Sequence, residues 1–302
     1  MLAAAFTEPG PPEVLSLMTL PDPVPGAGEV RVRIRAAGVQ PYDCAVRAGW
    51  IPPGITPTLP RIPGNEFAGV VDAIGPGVTA TEVGAEVLGF GQLGAYATLL
   101  VVPATQVVAK PPEMPWEVAG GFTAGAQTAH IAVETIEVAA GDTLLVHGAA
   151  GAVGTMAVQL AVRAGARVIA TGRPDNHDYL RSLGAEPVAY GEGLADRVRA
   201  LSPAGIDAAI DGAGGEALDV SLALVSDRAR VLTLVDHARA GELGAQVTPA
   251  ARSAARLASL AALYASGDLR FHLRRVYPLA DAAGAHREVE TGHGRGKVVL
   301  SV

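Results

Sequence analysis

The sequence is poor in several residue types, and each shortage excludes a class of protein. Cys44 is the single cysteine among 302 residues, which excludes an internal disulfide and fits a reducing, cytoplasmic compartment. Aromatic residues make up 4% of the chain, within an apolar share of 49% that is largely Ala, Val and Leu. This balance suits helices packed on a buried parallel sheet better than an aromatic-rich sandwich.

Positive charge and long apolar runs are also scarce. The formal net charge is −7 and no basic stripe occurs, so we expect neither nucleic acid nor an anionic membrane as a partner. No apolar run approaches the roughly 18 residues of a membrane span. Residues 1–8 lack the basic region of a signal peptide. The length allows one large domain or two modest ones.

A glycine-rich turn at residues 148–154 follows a short apolar run, 143–147. After the turn, apolar residues recur at helical spacing as far as Gly165, and a second apolar run follows at 167–171. Strand, turn, helix and strand in this order are typical of the first unit of a dinucleotide-binding sheet. Glycine lets the backbone approach a pyrophosphate, and the N–H groups at the start of the helix bind its charge.

The fingerprint in this turn reads Ala149-x-Gly151-x-x-Gly154, with alanine in the first glycine position. The alternative is a tight turn in another kind of α/β protein. As a nucleotide site, the turn predicts cofactor contacts from Ala150, Gly151, Ala152, Val153 and Gly154.

The end of the second apolar run indicates which nucleotide is bound. NAD sites carry an acidic residue there for the ribose 2′-hydroxyl, whereas this chain has Thr171-Gly172-Arg173 and no carboxylate before Asp175. A guanidinium and a hydroxyl favour a 2′-phosphate, so the sequence predicts NADPH with contacts from Thr171 and Arg173. The alternative is that Arg173 is a solvated loop charge, which leaves the cofactor open.

The pattern of residues along the rest of the chain changes near residue 115. Before it, alternation at 30–35 and frequent Pro-Gly turns predict short strands in a barrel-like domain. After it, strands alternate with helices, which predicts a doubly wound parallel sheet, hence an α/β fold with two domains. The predicted strands are 143–147, 167–171, 187–190, 207–211 and 229–235, and the helices are 152–164, 176–183, 193–201, 215–224 and 250–266. The tail predicts a strand near 270–277, a helix near 280–290 and a strand at 297–302.

Several motifs along the whole chain carry a family resemblance: Gly38-Val39-Gln40-Pro41-Tyr42-Asp43, Pro63-Gly64-Asn65-Glu66-Phe67-Ala68-Gly69, Gly75-Pro76-Gly77-Val78, Leu183-Gly184-Ala185, Ile210-Asp211-Gly212-Ala213-Gly214 and Arg295-Gly296-Lys297-Val298-Val299. Together with the glycine turn, they resemble the medium-chain dehydrogenase/reductase superfamily. The branch is similar to the zinc-independent quinone oxidoreductases, which include zeta-crystallin and the enoyl reductases of polyketide synthesis.

This resemblance implies a GroES-like catalytic domain at 1–112 and 260–302, a Rossmann domain at 113–259, and a homodimer. It also bears on zinc. Zinc members use Cys, His and Cys or Glu at positions matching Gln40, Asn65 and Ala124, which are poor ligands. The seven histidines show no metal spacing, so we expect no metal.

Without a Lewis acid, a conjugated acceptor is easier to reduce than a simple ketone, because its developing charge is delocalised. The resemblance therefore implies NADPH-dependent hydride transfer to a quinone or an α,β-unsaturated carbonyl. Two alternatives stay open: a pathway-specific enoyl or ketone reductase of secondary metabolism, and an NADPH-binding sensor without turnover.

The resemblance also implies site residues. Gln40, Tyr42 and Trp50 would lie beside the nicotinamide, with Tyr42 as a hydrogen-bond or proton donor; the alternative is that Tyr42 and Trp50 only wall an apolar pocket. Thr128 would meet the nicotinamide end, unless its hydroxyl bonds its own helix backbone. Further cofactor contacts are implied at Tyr190, Gly212, Ala213, Leu234, Val235 and Arg295, of which Arg295 could equally be solvated.

Overall fold

The computed structural model describes residues 1–56 and 58–302. The strands are β1 (Leu2–Ala5), β2 (Ser16–Thr19), β3 (Glu29–Val39), β4 (Glu66–Ile74), β5 (Glu86–Phe90), β6 (Leu99–Pro103), β7 (Val107–Ala109), β8 (Thr143–His147), β9 (Arg167–Thr171), β10 (Glu186–Val188), β11 (Ala208–Asp211), β12 (Val231–Thr233), β13 (Gln246–Val247), β14 (Leu273–Pro278) and β15 (Lys297–Ser301). The helices are α1 (Pro41–Arg47), α2 (Trp116–Thr135), α3 (Ala152–Arg163), α4 (His177–Ser182), α5 (Leu194–Leu201), α6 (Glu216–Leu224), α7 (His237–Leu243), α8 (Ala254–Ala265) and α9 (Ala282–Glu290).

The chain divides into two compact units. The first comprises residues 1–124, 253–268 and 273–302, and the second comprises residues 125–252 and 269–272. Both carry a sheet of their own, so each has a separate core. Among the described residues, no helix combines the length and apolarity needed to cross a bilayer.

The first unit is built on a seven-stranded sheet in the order β14-β15-β3-β4-β5-β7, with β6 also paired to β3. Strand β3 shows the alternation that the sequence predicts: Val30, Val32 and Ile34 are buried, while Arg33 and Arg35 face solvent. The last strand, β15, returns to pair antiparallel with β3, where Val298 lies opposite Val39. This pairing brings the C-terminal residues beside the strand that leads into α1.

Helix α1 is an element that the sequence patterns did not predict. It begins directly after β3, with Pro41 in its first turn and a capping box between Gln40 and Asp43. The Pro-x-Asp spacing was the available signal. The helix is short, and a search for repeating apolar periodicity overlooks such a segment.

The second unit contains six parallel strands in the order β10-β9-β8-β11-β12-β13. The prediction of a doubly wound parallel sheet is confirmed, and strands 143–147 and 167–171 match to the residue. The order of the strands reverses direction between β8 and β11, and in such sheets ligands bind beyond the carboxyl ends at that point. The glycine-rich turn leaves β8 at this position.

Candidate functional site

Two glycines shape the turn that follows β8. Gly148 has a φ of +66°, and a Cβ there would lie 2.9 Å from the carbonyl oxygen of Gly212. Gly154 packs against the end of the strand, where a Cβ would lie 2.6 Å from the Cα of Ala149. The left-handed residue is Gly148, one place before the fingerprint, which explains why alanine is accepted at position 149.

The start of α3 supplies unpaired backbone donors. Its first hydrogen bond runs from the N–H of Thr155 to the oxygen of Gly151, so the N–H groups of Ala152, Val153 and Gly154 have no acceptor within the helix. Gly151 is the N-cap and has no side chain to cover them. These donors and the helix dipole suit a pyrophosphate, and the residue beside them, Ala150, is small and buried.

The loop after β9 brings together two residues that lie 17 positions apart. Arg173 Nε donates to the hydroxyl of Tyr190 at 2.9 Å, and both side chains are exposed. The terminal nitrogens of Arg173 donate to no atom of residues 1–56 or 58–302. A guanidinium that a phenol holds in this way has its other donors ready for an anion.

Thr171, in contrast, has its hydroxyl inside the unit. The side chain is 3% exposed, and its Oγ1 lies 3.4 Å from Nδ1 of His147. The hydroxyl therefore bonds within the sheet, whereas the sequence predicts it as a donor to a 2′-phosphate. Burial lowers the pKa of His147 to about 4, against the opposing Asp211 carboxylate, so this histidine is neutral at pH 7.

Asp211 organises the carboxyl ends of β11 and β12. Its Oδ1 accepts from the N–H groups of Ala213 at 2.9 Å and Gly214 at 2.7 Å, and its Oδ2 accepts from Oγ1 of Thr233 at 2.8 Å. The N–H of Ala213 is thus committed to the turn itself. Sequence reasoning missed Asp211 in this role, although an aspartate before a glycine-rich turn is a known turn-forming pattern.

Three other residues implied for the cofactor lie around this turn. Gly212 and Val235 are exposed and Leu234 is half-buried. A Cβ on Gly212 would lie 3.8 Å from Cδ1 of Leu234, so the two strand ends contact each other. They form one surface at the carboxyl edge of the sheet.

Thr128 lies half-buried on the part of α2 that belongs to the second unit. Its hydroxyl makes no hydrogen bond to any described residue, whereas Thr135 on the same helix donates to the oxygen of Ile131 at 2.7 Å. The alternative of a backbone-bonded hydroxyl therefore fits Thr135 and does not fit Thr128. The Thr128 hydroxyl keeps its capacity to bind a ligand.

In the first unit, the start of α1 carries the residues implied for catalysis. Gln40 is the N-cap, and Tyr42 follows in the first turn. The rings of Tyr42 and Trp50 meet edge to face, with centroids 5.2 Å apart. Trp50 is 45% exposed, so this aromatic pair presents an apolar surface at the end of the helix.

Asp43 anchors the same helix from inside the unit. It accepts from the N–H groups of Gln40 and Gly64, both at 3.1 Å, and from the hydroxyl of Tyr96 at 3.2 Å. Burial raises the pKa of Asp43 to about 7, against the opposing charge of Lys297. These contacts are structural, since every partner belongs to the protein.

The three positions that match zinc ligands contain no suitable donor set. Oε1 of Gln40 accepts from the ammonium of Lys297 at 2.6 Å, and Nε2 of Gln40 donates to Oδ1 of Asn65. Ala124 contributes only its N–H, which donates to Oε2 of Glu66 at 2.6 Å. A divalent cation on Gln40 would meet the Lys297 charge, so these residues do not fit zinc.

Other candidate ligands are dispersed. Among residues 1–56 and 58–302, no three His, Cys, Asp or Glu side chains group in a way that could hold a metal ion. Burial raises the pKa of Cys44 to about 12, so its thiol is unreactive. Arg295 is half-buried in the first unit, and its carbonyl oxygen accepts from Nε of Arg274 at 3.2 Å.

The second unit therefore has the sheet, turn and helix start of a dinucleotide-binding domain. Comparison with known proteins agrees with this class. The family model of the alcohol dehydrogenase GroES-like domain matches residues 26–112, and that of a zinc-binding dehydrogenase matches residues 183–300. Positions 40, 65 and 124, which correspond to zinc ligands in zinc members of the family, lie outside the residues matched by the zinc-binding dehydrogenase model.

Individual relatives narrow the class. A quinone oxidoreductase of Pseudomonas aeruginosa is 31% identical over 325 residues, which cover 98% of each chain. A mycobacterial protein solved in complex with NADPH superposes with a TM-score of 0.88 at 33% identity, covering 100% of both chains. The phthioceranic/hydroxyphthioceranic acid synthase of Mycobacterium tuberculosis is 30% identical over 97% of this chain, which spans only 15% of that synthase.

The chain belongs to the medium-chain dehydrogenase/reductase superfamily, in its quinone oxidoreductase branch. The resemblance drawn from the sequence motifs is thereby confirmed at the level of the family and the fold.

Proposed function

We propose that the protein is an NADPH-dependent, zinc-independent reductase of quinones or α,β-unsaturated carbonyl compounds. The observation that carries the choice of NADPH is the exposed Arg173–Tyr190 pair after β9, with no carboxylate on β9 to repel a 2′-phosphate. The NADPH complex of the mycobacterial relative agrees with this choice.

The backbone around α3 would hold the pyrophosphate, through the N–H groups of Ala152, Val153 and Gly154. The surface formed by Gly212, Leu234 and Val235 would contact the ribose and carboxamide, and the unbonded hydroxyl of Thr128 would reach the nicotinamide end. Arg295, in the first unit, is proposed as a further contact. Bound NADPH supplies a hydride.

The proposed substrate class follows from the side chains of Gln40, Asn65 and Ala124, which do not fit a zinc ion that would polarise a simple ketone. In an enone, a hydride adds to the β-carbon, the C=C electron pair moves toward the carbonyl, and the oxygen gains negative charge. A proton from water then reaches the α-carbon, which yields the saturated ketone. A quinone takes the same hydride and one proton to become the hydroquinone. In both cases the protein has to stabilise a developing oxyanion.

The start of α1 would do so in this proposal. Tyr42 would donate to the oxygen, and Trp50 would exclude water from one side of the substrate. The amide oxygen of Gln40 accepts from Lys297 and its amide nitrogen donates to Asn65. Gln40 would therefore orient these two residues and would not contact the substrate directly. A homodimer stays a prediction of the family resemblance.

A pathway-specific enoyl reductase is the second candidate, because the chain is similar to one segment of the mycobacterial synthase. Rates on a simple quinone and on a crotonyl thioester separate the two. Comparable or faster quinone reduction supports the first candidate, and a strong preference for the thioester supports the second.

The test is a fluorescence titration with NADPH and NADH after treatment of the protein with a chelator. NADPH oxidation is then followed with 1,4-benzoquinone, 2-cyclohexen-1-one and the crotonyl thioester. We expect tighter binding of NADPH and turnover that the chelator does not reduce. Tight binding without turnover of all three acceptors would favour a sensor, and equal binding of both nucleotides would remove the NADPH assignment.

A further inference from the structure

A buried line of polar groups crosses the first unit from its last strand to the loop before β4. The ammonium of Lys297 donates to Oε1 of Gln40 at 2.6 Å, and Nε2 of Gln40 donates to Oδ1 of Asn65. Lys297 and Asn65 are 3% and 4% exposed. We call these three residues the amide relay.

The cation at one end determines how both amides are oriented. An ammonium has three donors and no acceptor, so it can meet Gln40 only through the amide oxygen. The amide nitrogen of Gln40 must then face Asn65, and it can meet Asn65 only through that oxygen. The nitrogen of Asn65 consequently points out of the relay. Neither amide can be reversed without placing two donors against each other.

Glu66 keeps the cation in place. Its Oε1 forms an ion pair with Nζ of Lys297 at 2.5 Å, and Oε2 accepts from the N–H of Ala124 at 2.6 Å. Gly38 makes room for this pair, because a Cβ at that position would overlap the Glu66 carboxylate. Since Glu66 is fully buried, the charged pair is shielded from water and from salt.

The outer end of the relay is an unused donor. Nδ2 of Asn65 donates to no atom in residues 1–56 or 58–302. Unlike some buried side-chain atoms that lack a hydrogen-bond partner, this nitrogen keeps some contact with solvent. An amide nitrogen on a side chain this buried ordinarily has a hydrogen-bond acceptor. A donor that reaches solvent from so buried a side chain is open to a ligand oxygen.

We infer that Asn65 donates a hydrogen bond from Nδ2 to the substrate carbonyl oxygen, and that Lys297 and Gln40 are positioning residues that orient this donor. The inference rests on the proposed reduction of a conjugated carbonyl and adds a substrate contact to it. A positive charge at the far end polarises both amides in the same direction, which strengthens the outer donor. The relay thus supplies electrophilic assistance at positions where zinc relatives have metal ligands.

Removal of the donor is the first test. Asn65→Leu keeps a similar volume without an N–H group, and we expect kcat for 2-cyclohexen-1-one to fall about 10- to 100-fold, with the dissociation constant of NADPH unchanged. Asn65→Gln, which can still donate, should recover part of the loss. Unchanged kcat in Asn65→Leu would overturn the inference.

The second test separates orientation from stability. Lys297→Met leaves Glu66 unpaired, so its loss of activity could reflect a damaged fold. The double variant Lys297→Met/Glu66→Gln removes both charges and should recover thermal stability. We expect its kcat to stay about tenfold low, because the amides are free to reverse, and we expect Lys297→Arg to recover activity. Full activity in the double variant would show a merely structural role.

A readout without turnover distinguishes failure of this inference from failure of the proposed function. Binding of 4-nitrophenol, followed by absorbance across a pH series, reports the ionisation of a bound oxygen. In the wild type with NADP⁺, we expect the pKa of the bound phenol to fall below that of the free probe, and Asn65→Leu should abolish the shift. A wild type that shifts the probe but reduces no acceptor would contradict the proposed function alone. A wild type without the shift would contradict the relay.

Discussion

At the scale of single residues, the site depends on which donors the protein leaves unused. The Thr171 hydroxyl is hydrogen-bonded to His147 and the Ala213 N–H donates to Asp211, whereas the terminal nitrogens of Arg173 and the hydroxyl of Thr128 bond to no described residue. Residue type alone does not reveal this difference. An N–H is most readily available to a ligand where the fold gives it no internal acceptor.

Arg173 gives the most direct residue-level prediction. Arg173→Ala should weaken NADPH binding by about 1–3 kcal/mol, roughly 5- to 150-fold, and leave NADH binding nearly unchanged, because only NADPH carries the 2′-phosphate. Titration of both nucleotides measures the effect.

Arg181 is a matched control for this variant. It is an exposed arginine of α4 that already donates to Asp178, so Arg181→Ala should not change the ratio of the two affinities. If Arg181→Ala and Arg173→Ala weaken NADPH equally, the effect is one of overall charge, and Arg173 is not at the cofactor.

At the scale of elements, the turn between β8 and α3 contains three glycines, and the two nearest the helix, Gly151 and Gly154, serve different purposes. Gly151 has ordinary dihedral angles, φ −71° and ψ 174°, and a Cβ there would lie 3.3 Å from the oxygen of Gly148. Gly154 packs against Ala149, with no room for a Cβ. The first glycine leaves space for a ligand, and the second lets the helix approach the strand.

Valine substitutions should separate these purposes. Gly151→Val is expected to abolish nucleotide binding with a smaller loss of Tm than Gly154→Val, because its side chain would occupy the pyrophosphate space and contact the backbone less closely. Gly154→Val should lower the free energy of unfolding by roughly 1–3 kcal/mol or more, because it overpacks the strand end. Titration and thermal melts measure both. Retained NADPH affinity in Gly151→Val would contradict the assignment of the turn.

At the scale of the whole molecule, stability should depend on pH through three buried groups. Burial lowers the pKa of His286 to about 3 and that of His147 to about 4, and it raises the pKa of Asp43 to about 7. In the unfolded chain these histidines bind protons below about pH 6.5, and the aspartate binds one only below about pH 4. Between about pH 4 and pH 6.5, protonation of the two histidines in the unfolded chain lowers the free energy of unfolding, and protonation of Asp43 in the folded protein raises it.

We therefore expect the free energy of unfolding to fall by about 1.4 kcal/mol per unit as the pH drops from 6 to 5, because the unfolded chain binds one net proton more. His286→Gln should bring this slope close to zero, since His147 and Asp43 then cancel. Urea unfolding at several pH values measures the slope, with the exposed His237→Gln as a control. An unchanged slope in His286→Gln would show that His286 titrates normally in the folded protein.

Much of the fold was readable from local sequence patterns. The periodicity of 2 in β3, the alternation of strands and helices after residue 141, and the glycine turn are each encoded within a few residues of one another. Helix α1 was missed because its signals are confined to Gln40, Pro41 and Asp43. The family motifs implied candidate positions for the site, but not the hydrogen-bond partners of each side chain.

The sequence by itself determined the strand, helix and glycine-turn segments of the second unit, because these depend on neighbours in the chain. Only the tertiary structure decided the partners of the polar groups. Arg173 meets Tyr190 across 17 residues, and Lys297 meets Gln40 across 257 residues. A hydrogen bond depends on distance and direction in space, and strand pairing such as that of β15 with β3 brings such groups together.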